Sequence, residues 1–480
     1  MTVDPKAIQH VFQKSGYNYT KKTSQNFMGY LIAGPGIATM LGEDHHRHRK
    51  IMHPAFSAPQ LRSFLPLFQR IAGKLSEKWK GELVTTGELE LMMNKWLSRA
   101  TLDVIGEAAF DYDYNALDAG GRSALSKAYD NLLKDIDYQP SNASILFRSA
   151  WDYIPIPLLK LIKYVPAHPF TRVRNLNNLF MQYGKQILRE QAPEVDAERK
   201  VNGKDVMSIL IKANSSADAK TRLDDAELIA EMATLTIAGH ETTASTLSAA
   251  RGKVMERGGT EFTTEDLDSL TLTMNAIKET LRLHPIAYGL PRVAVKDDVI
   301  PLAYPIVSTT GETISEIPIK AGQVVYSSFA GYQRLPGVWG EDADEWNPDR
   351  FLRIEMAKQP VSIGVLHSAD LERTIAPVLS CWDPGVHRLA VLVRTPVPTI
   401  IARVLGTDMH ADTEAWLAYL PRSLIEMQAF LGELLEAFQF HLPREKMEVQ
   451  KATVGVGMAP IVRGKPELGA ALPLRISLVQ

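Results

Sequence analysis

The sequence predicts a mainly α-helical protein with a small β region. Apolar residues recur at helical spacing through most of the first half of the chain, and the apolar helical pattern at residues 225–250 is unusually long. Short β-like runs separated by Gly, Pro and Asp follow between residues 290 and 332. The 480 residues, 45% hydrophobic and 22% charged, have the composition of a folded globular protein.

Four helical patterns follow one another along the chain. Asp4 to Phe12 and Ala58 to Leu83 come first, and Asn175 to Leu188 and Asp225 to Ala250 come after an interrupted middle segment. The interruption consists of Pro155, Pro157, Pro166 and Pro169. The apolar face of the second pattern consists of Leu61, Phe64, Leu65, Phe68, Ile71 and Leu75.

The β-like runs predict a small sheet region beside the helical body. Their apolar residues are Val293, Val295, Val299, Ile314, Ile317, Ile319, Val324 and Val325. Gly364 to Ser423 differs from the rest of the chain, because it has poor periodicity and many Arg, Pro and Thr residues. This segment fits neither the helical nor the β-like pattern.

Charge and cysteine content narrow the functional classes. The net charge is -2 and there is no long basic run, which argues against nucleic acid as a partner. Cys381 is the single cysteine, so an internal disulfide framework is excluded, and it is open whether Cys381 is a ligand or core filler. No segment approaches the ~20 apolar residues of a spanning helix, and we expect no membrane anchor within the chain.

A glycine and two threonines interrupt the long apolar helix in the run Ala238-Gly239-His240-Glu241-Thr242-Thr243. These residues lower helix propensity, and a threonine hydroxyl can bond back to the carbonyl one turn earlier, which bends or opens the helix. Such an opening admits a small ligand and a chain of waters. A polar bend in a packed helix explains the same residues, so the motif alone leaves both interpretations open.

An acid and a base stand one turn apart in Lys278-Glu279-Thr280-Leu281-Arg282. This spacing usually makes a surface ion pair worth about a few tenths of a kcal/mol. The proline and aromatic residues of Trp346-Asn347-Pro348-Asp349-Arg350-Phe351 predict a rigid extended segment that can carry Arg350 back to Glu279. Together, these two motifs predict a bidentate, buried pair of Arg350 and Glu279.

A basic segment, Gly42 to Lys50, precedes Ile51-Met52-His53-Pro54-Ala55-Phe56 near the N-terminus. Basic side chains on one face of a helix fit an anion such as a propionate. Adventitious metal binding by the histidines and a solvated cationic turn are the alternative interpretations.

The order and spacing of these four signals resembles the cytochromes P-450, which are haem-thiolate monooxygenases. The likeness consists of a basic H-x-x-x-R helix, A-G-x-E-T-T, E-x-x-R and W-N-P-D-R-F, and it extends from about Val3 to Phe351. It resumes at Leu424 to Phe430 and continues through Leu442-Pro443, in a style closest to fungal members of the microsomal type. The resemblance implies the cytochrome P-450 fold and haem (heme, iron protoporphyrin IX) as the cofactor.

The resemblance also implies a role for each motif residue. The protons for iron-bound oxygen would be delivered by Glu241 and Thr242. The cofactor-binding residues would be Ala238, Gly239 and the haem-propionate contacts His45, Arg49 and Arg292. The structural ion-pair triad behind the haem would consist of Glu279, Arg282 and Arg350.

The family's haem-binding loop, F-x-x-G-x-R-x-C-x-G, is not legible between Phe351 and Leu424. The cysteine thiolate of that loop is the axial iron ligand. Cys381 stands within Leu379 to Arg388 without the glycine and arginine spacing of the loop. The sequence therefore does not support Cys381 as the ligand, and the residue that binds the metal is unknown.

A shift of the reading frame restores this loop. When each codon takes the last two bases of one residue and the first base of the next, Leu379 to Arg388 permit Phe, a variable residue, Ala, Gly, Ile, Arg, a variable residue, Cys, Ile and Gly. Trp382 followed by Asp383 forces the glycine codon. We therefore hypothesise that Gly364 to Ser423 contains translated intron flanking an exon read in the wrong frame.

The predicted architecture is a single cytochrome P-450 domain over residues 1–480, truncated at the N-terminus, with an aberrant segment at 364–423 in place of the haem-binding loop. The resemblance implies hydroxylation of a small apolar organic substrate with O2 and electrons from an NADPH-dependent reductase. By family, it implies location at the cytosolic face of the endoplasmic reticulum membrane. A catalytically inactive remnant without the axial thiolate is the alternative, and haem ligation by Cys381 or His387 in a rearranged loop is a third hypothesis.

Overall fold

The computed structural model describes residues 1–56, 60, 63–118, 127, 142–196, 205–215, 217–218, 221–239, 271–285, 287–353, 419–454, 457–465 and 468–479. The chain divides into two compact units. Unit 1 consists of Met1–Thr20, Ala249–Glu436 and Val456–Met458, and unit 2 consists of Lys21–Ser248, Ala437–Gly455 and Ala459–Gln480. The single domain expected over residues 1–480 stays a prediction.

Helices and short strands make up most of the described chain. The α-helices are α1 Pro5–Gln9, α2 Thr23–Ala33, α3 Gly42–Met52, α4 Leu65–Thr86, α5 Met93–Phe110, α6 Asn142–Ala150, α7 Ile156–Leu159, α8 His168–Asp196, α9 Val206–Ser215, α10 225–239, α11 Thr271–Leu283, α12 Phe329–Tyr332, α13 Pro336–Trp339, α14 Arg350–Arg353 and α15 Tyr419–Ala437. The strands are β1 Tyr19–Lys21, β2 Leu89–Met92, β3 Gly289–Ala294, β4 Asp298–Val307, β5 Thr313–Ile319, β6 Val324–Ser328, β7 Phe438–His441, β8 Val449–Val454, β9 Gly457–Val462 and β10 Pro473–Leu478. A π-helix, His10–Lys14, continues α1, and a 3-10 helix, Lys160–Tyr164, follows α7.

Unit 1 is built on two antiparallel strand pairs. β3 pairs with β6 from Gly289 opposite Ser328, and β4 pairs with β5 with a register shift after Pro301. The backbone N–H groups of Ala303 and Tyr304 in that irregular stretch donate to the Asp4 carboxylate at 2.9–3.0 Å. The core packs α1 and the π-helix against these strands through Ala7, Ile8, Val11, Phe12, Ala287, Leu290, Ile300, Val325, Phe329, Tyr332 and Trp339.

Unit 2 contains the long helices of the first half of the chain. Helices α2 and α4 each end at a glycine with positive φ, Gly34 and Gly87, a backbone conformation that glycine adopts without strain. β10 lies between β2 and β7 with both pairings antiparallel. Trp79 of α4 is fully buried and makes edge contacts to Phe438 and Phe440 of β7, which ties this sheet to the helices.

The prediction of a mainly helical protein with a small β region is confirmed. The helix predicted from Ala58 to Leu83 is interrupted by a turn at residues 63–64, and α4 begins at Leu65, where Pro66 is tolerated in the first turn. Ala58 itself lies outside the described residues. The predicted helix from Asp225 is described as far as residue 239, and Gly364 to Ser423 lies almost entirely outside the described residues. No helix in the described part of the chain combines the length and apolar character needed to cross a bilayer.

Candidate functional site

Helix α3 places His45 and Arg49 one turn apart in unit 2. Glu43 and Asp44 occupy its first turn and Arg49 its last turn, which matches the dipole of the helix. His45 is 1% exposed and Arg49 is 8% exposed. A solvated cationic turn is therefore the wrong description of these two side chains, although the neighbouring His46 is exposed.

The surroundings of His45 are electropositive. Burial, reinforced by the nearby charges of Lys21 and Arg49, lowers the pKa of His45 to about 3. His45 is therefore neutral at physiological pH and offers a ring N–H, whereas Arg49 and Lys21 supply the positive charge. A buried neutral donor beside two cations fits a carboxylate partner such as a haem propionate.

Arg292 lies on strand β3 in unit 1. Its side chain is buried, its guanidinium stacks 4.8 Å from the centre of the Phe12 ring, and Nη1 donates to the Pro291 carbonyl at 3.0 Å. A guanidinium keeps its charge in such surroundings, and the ring holds its plane in one orientation. Arg292 thus also has the chemistry that binds an anionic group.

Ala238 and Gly239 stand at the end of the described part of α10. A Cβ added to Gly239 would lie 2.8 Å from Cδ1 of Ile105 on α5, so glycine allows these two helices to approach closely. Thr236 returns its hydroxyl to the Met232 carbonyl at 2.8 Å, the back-bond that favours a helix bend. Glu241 and Thr242 lie outside the described residues, and their role in proton delivery stays a prediction.

Glu279, Arg282 and Arg350 come together in unit 1. Arg282 donates from Nε and Nη2 to the two Glu279 carboxylate oxygens at 2.7 and 2.8 Å, and Arg350 Nε lies 3.4 Å from Glu279 Oε1. Their exposed fractions are 0%, 2% and 5%, respectively. The acid and base that spacing alone would assign to a surface pair thus form a buried, bidentate pair.

The same arginines hold the extended segment that precedes Arg350. Arg282 donates to the carbonyls of Ala343 and Glu345 at 2.5 and 3.0 Å. Arg350 donates to the Asp342 side chain and carbonyl at 2.6 and 2.8 Å. Because both guanidinium groups are occupied by these partners, the cluster fixes the segment against α11 and offers no free acid or base.

A polar network between α3 and α10 in unit 2 was missed by sequence reasoning. His48 is buried, with Nδ1 2.5 Å from Glu231 Oε1 and Nε2 3.3 Å from Glu227 Oε1. Arg47 donates to both oxygens of Glu227, at 3.0 and 2.5 Å. His48 and Glu231 are 183 positions apart, and no spacing rule links them. The local signal was Asp224 three residues before Glu227, which is a helix N-terminal capping pattern.

The described residues contain no group of three or more His, Cys, Asp or Glu side chains arranged to hold a metal ion. Cys381 and His387 both lie in the stretch that the structure leaves undescribed. The residue that would ligate the haem iron therefore stays unassigned.

A family model described as cytochrome P-450 matches residues 1–363, which include every motif from His45 to Arg350. The match ends one position before Gly364, the first residue of the irregular segment. The chain is also similar to the solved structure of the cytochrome P450DA haem domain, with a TM-score of 0.62 over 99% of this chain and 87% of that chain. At 17% identity, this likeness shows the fold alone.

Several fungal proteins are similar in sequence. Cytochrome P-450 monooxygenase 212 of Postia placenta is 32% identical over 377 residues, which cover 73% of this chain and 68% of the relative. Monooxygenase 205 of the same fungus is 27% identical over 507 residues, covering 99% of this chain and 83% of the relative. A ganoderic acid synthetase of Ganoderma lucidum is 28% identical over 392 residues, covering 75% and 71%.

Proposed function

This chain belongs to the cytochrome P-450 family, and we propose that it is a monooxygenase that hydroxylates a small apolar organic substrate. The enzyme type and the haem cofactor follow from the family, and the haem supplies the oxygen chemistry when bound. The substrate class and the NADPH-dependent reductase as electron source are the proposed part. The observation that carries the proposal is the family match, which spans every motif residue through Arg350.

In unit 2, His45 and Arg49 are the residues that would hold a haem propionate, and in unit 1, Arg292 has the chemistry for the same role. Arg49 and Arg292 are buried cations, and His45 is a buried neutral donor. Charge-assisted hydrogen bonds from such groups to a carboxylate are roughly twice as strong as neutral ones. Within unit 1, the buried cluster around Glu279 holds the segment that leads to Arg350 in one position.

Proton supply is the task that we assign to Glu241 and Thr242. A carboxyl group can take up a proton from solvent, and a hydroxyl group can hand it to a bound acceptor within hydrogen-bond reach. Both residues follow Gly239, where α10 packs closely on α5.

Incorporation of labelled oxygen tests this proposal. The chain tested carries the loop in the shifted frame in place of Leu379 to Arg388. Supplied with haem, a fungal reductase, NADPH and a panel of apolar substrates, it is expected to transfer one atom of 18O2 to the product. Thr242→Ala should lower product formation on the order of 10²-fold, since general acid catalysis contributes at least that much, and Thr242→Ser, which keeps the hydroxyl, should not. Products labelled from water instead of O2 would contradict the proposal.

We further propose that the segment from Asn142 to Val165 in unit 2 rests on an anionic membrane surface. Its exposed apolar side chains include Leu146 at 72%, Leu158 at 57%, Leu161 at 58% and Tyr164 at 68%. Lys163 lies over the Tyr164 ring at 5.0 Å, so positive charge stands among the apolar groups. Apolar side chains mixed with lysine suit the boundary between acyl chains and anionic headgroups.

Vesicle flotation tests this membrane surface. The chain should float with vesicles that contain phosphatidylserine and less with neutral vesicles. Replacing Leu146, Leu158 and Leu161 together by serine should abolish binding. Val84→Ser is the matched control, because Val84 is 81% exposed on α4. Equal loss of binding in the control and the triple variant would contradict the proposal, as would equal binding to neutral vesicles.

The alternative function is that of a catalytically inactive relative. Two observations favour it: the family match stops at residue 363, and the single cysteine lies beyond it without the spacing of the haem-binding loop. Sequencing the transcript across residues 364–423 separates the two functions. A transcript that reads through this region in the printed frame supports the inactive relative, and one that splices Leu379 to Arg388 into the shifted frame supports the monooxygenase.

A further inference from the structure

We infer that Glu227, His48 and Glu231 form a proton relay from the surface of unit 2 to the buried face of helix α10. Glu227 and Glu231 belong to α10, and His48 reaches them from α3. The use of this relay for oxygen chemistry rests on the proposed function. The relay itself depends only on the described residues of unit 2.

His48 has a carboxylate at each of its ring nitrogens. Nδ1 lies 2.5 Å from Glu231 Oε1, and Nε2 lies 3.3 Å from Glu227 Oε1. A neutral imidazole carries a proton on one nitrogen and a lone pair on the other, so it can accept a proton at one side and release one at the other. Two carboxylates facing one buried ring therefore make a donor, a carrier and an acceptor in a row.

The outer end of the relay is Glu227. Its side chain is 15% exposed, and Arg47 beside it is 19% exposed, so solvent reaches this carboxylate. Burial acts to raise the pKa of Glu227, but hydrogen bonds from Arg47 and from the Asp224 backbone outweigh it and lower the pKa. Asp44 lies 3.4 Å from Arg47 and adds a further charge at this entrance. Glu227 is thus a solvent-accessible carboxylate that stays ionised, so it can pass a proton from solvent to His48 without retaining it.

The inner end is Glu231, which is fully buried. Burial raises the pKa of its carboxyl group, so a proton on it is favoured more than on a surface glutamate. Oε1 accepts from His48 and from the Ile37 backbone N–H at 2.8 Å, whereas Oε2 has no hydrogen-bond partner among the described residues. A buried carboxylate oxygen without a hydrogen-bond partner is costly, and a proton on the carboxyl group lowers that cost by removing the buried charge.

The inner end lies on the helix face that continues toward Ala238. Glu227, Glu231, Thr234 and Ala238 are spaced i, i+4, i+7 and i+11, which puts them on one face of α10. The Thr234 hydroxyl is buried and likewise has no partner within the described part of the chain. A buried carboxyl oxygen followed one turn later by a buried hydroxyl continues the same polar line.

The transfer balances without any redox partner. A proton from water binds Glu227 and passes to His48 Nε2, while the Nδ1 proton passes to Glu231 Oε1. An N–H and an O–H bond form as an N–H and an O–H bond break, and no electron moves. Once Glu231 has released its proton inward, His48 is reset when its ring turns out of the pair, loses the Nε2 proton to water and takes one from water at Nδ1.

Proton NMR of the haem-free full chain tests the relay. The proton shared by His48 and Glu231 should give a far-downfield resonance that is lost in His48→Gln and Glu231→Gln. His46→Gln is the matched control, because His46 is exposed on the same helix, and it should keep the resonance. Exchange of this proton with water should slow by about tenfold or more in Glu227→Gln, since exchange then requires local opening of the protein.

Two results would overturn the relay: a resonance that persists in Glu231→Gln, or an exchange rate that is unchanged in Glu227→Gln. Glu227→Gln decides the question even if Glu231→Gln does not fold, because Glu227 is partly exposed and glutamine keeps its acceptor oxygen. The measurement needs no haem. Its outcome is therefore separate from that of the proposed monooxygenase activity.

Discussion

Glu279→Gln is expected to loosen the segment that precedes Arg350 much more than the loss of a surface ion pair would. The change removes the negative charge between two guanidinium groups that are 2% and 5% exposed. Removing one partner of a buried ion pair costs about 3–5 kcal/mol. We expect a value near the lower end, about 3 kcal/mol, because Arg282 and Arg350 keep their carbonyl partners. Since about 1.4 kcal/mol is a factor of ten, the segment should open about 100-fold more often.

Hydrogen exchange of the full chain, read by mass spectrometry, measures this opening. The Asn347 N–H donates to Glu279 Oε1 at 2.8 Å, and the Ala343 N–H donates to the Gly340 carbonyl at 3.1 Å. Peptides that contain these amides should exchange faster in the variant. Asp297→Asn is the control, because Asp297 pairs with Lys320 on the surface, and no change is expected there. Exchange in Glu279→Gln that is no faster than in the control would refute the reasoning.

The remaining predictions concern unit 2. Gly239→Ala should destabilise unit 2 by about 1 kcal/mol in thermal melts, because the new Cβ would lie 2.8 Å from Ile105 Cδ1. Adding Ile105→Val, which removes that methyl group, should recover the lost stability. Burial raises the pKa of Asp103 from 3.8 to about 6, so its stabilising contribution is full below pH 3.8 and is lost as the pH rises through 6. In urea titrations, Asp103→Asn should therefore gain about 2 kcal/mol on the native chain between pH 4 and 7. Burial lowers the pKa of His45 from 6.5 to about 3, so its contribution to the stability of the folded chain is present above pH 6.5 and is lost as the pH falls. In acid titrations, His45→Gln should therefore unfold at a lower pH than the native chain. Unfolding of both at the same pH would contradict the burial of a neutral ring.

Local patterns allowed the elements to be predicted, because they depend on near neighbours in the chain. The helix from Asp225 and the strands between Gly289 and Ser328 follow from spacing alone. The proline in the run from Trp346 to Phe351 also predicted that Arg350 could return to Glu279, and the structure brings the two within 3.4 Å. The turn at residues 63–64 was missed, because the apolar spacing continues through it to α4.

Burial and long-range partners could not be predicted in this way. The basic run of α3 gives no sign that His45 and His48 are buried while His46 between them is exposed. His48 is buried because it packs against Glu231, which belongs to a helix far along the chain. The neutral state of His45 follows from the same burial, and a count of basic residues predicts the opposite.

The carbon-monoxide difference spectrum of the reduced, haem-reconstituted chain reports whether a thiolate ligates the iron. Residues 1–363 match the cytochrome P-450 family, and segment 364–423 lacks the family's cysteine loop. We expect no thiolate-type Soret band from this chain and a clear band once the loop in the shifted frame replaces Leu379 to Arg388. A thiolate-type band from the unaltered chain would show that its thiolate ligates the iron and make Cys381 the ligand.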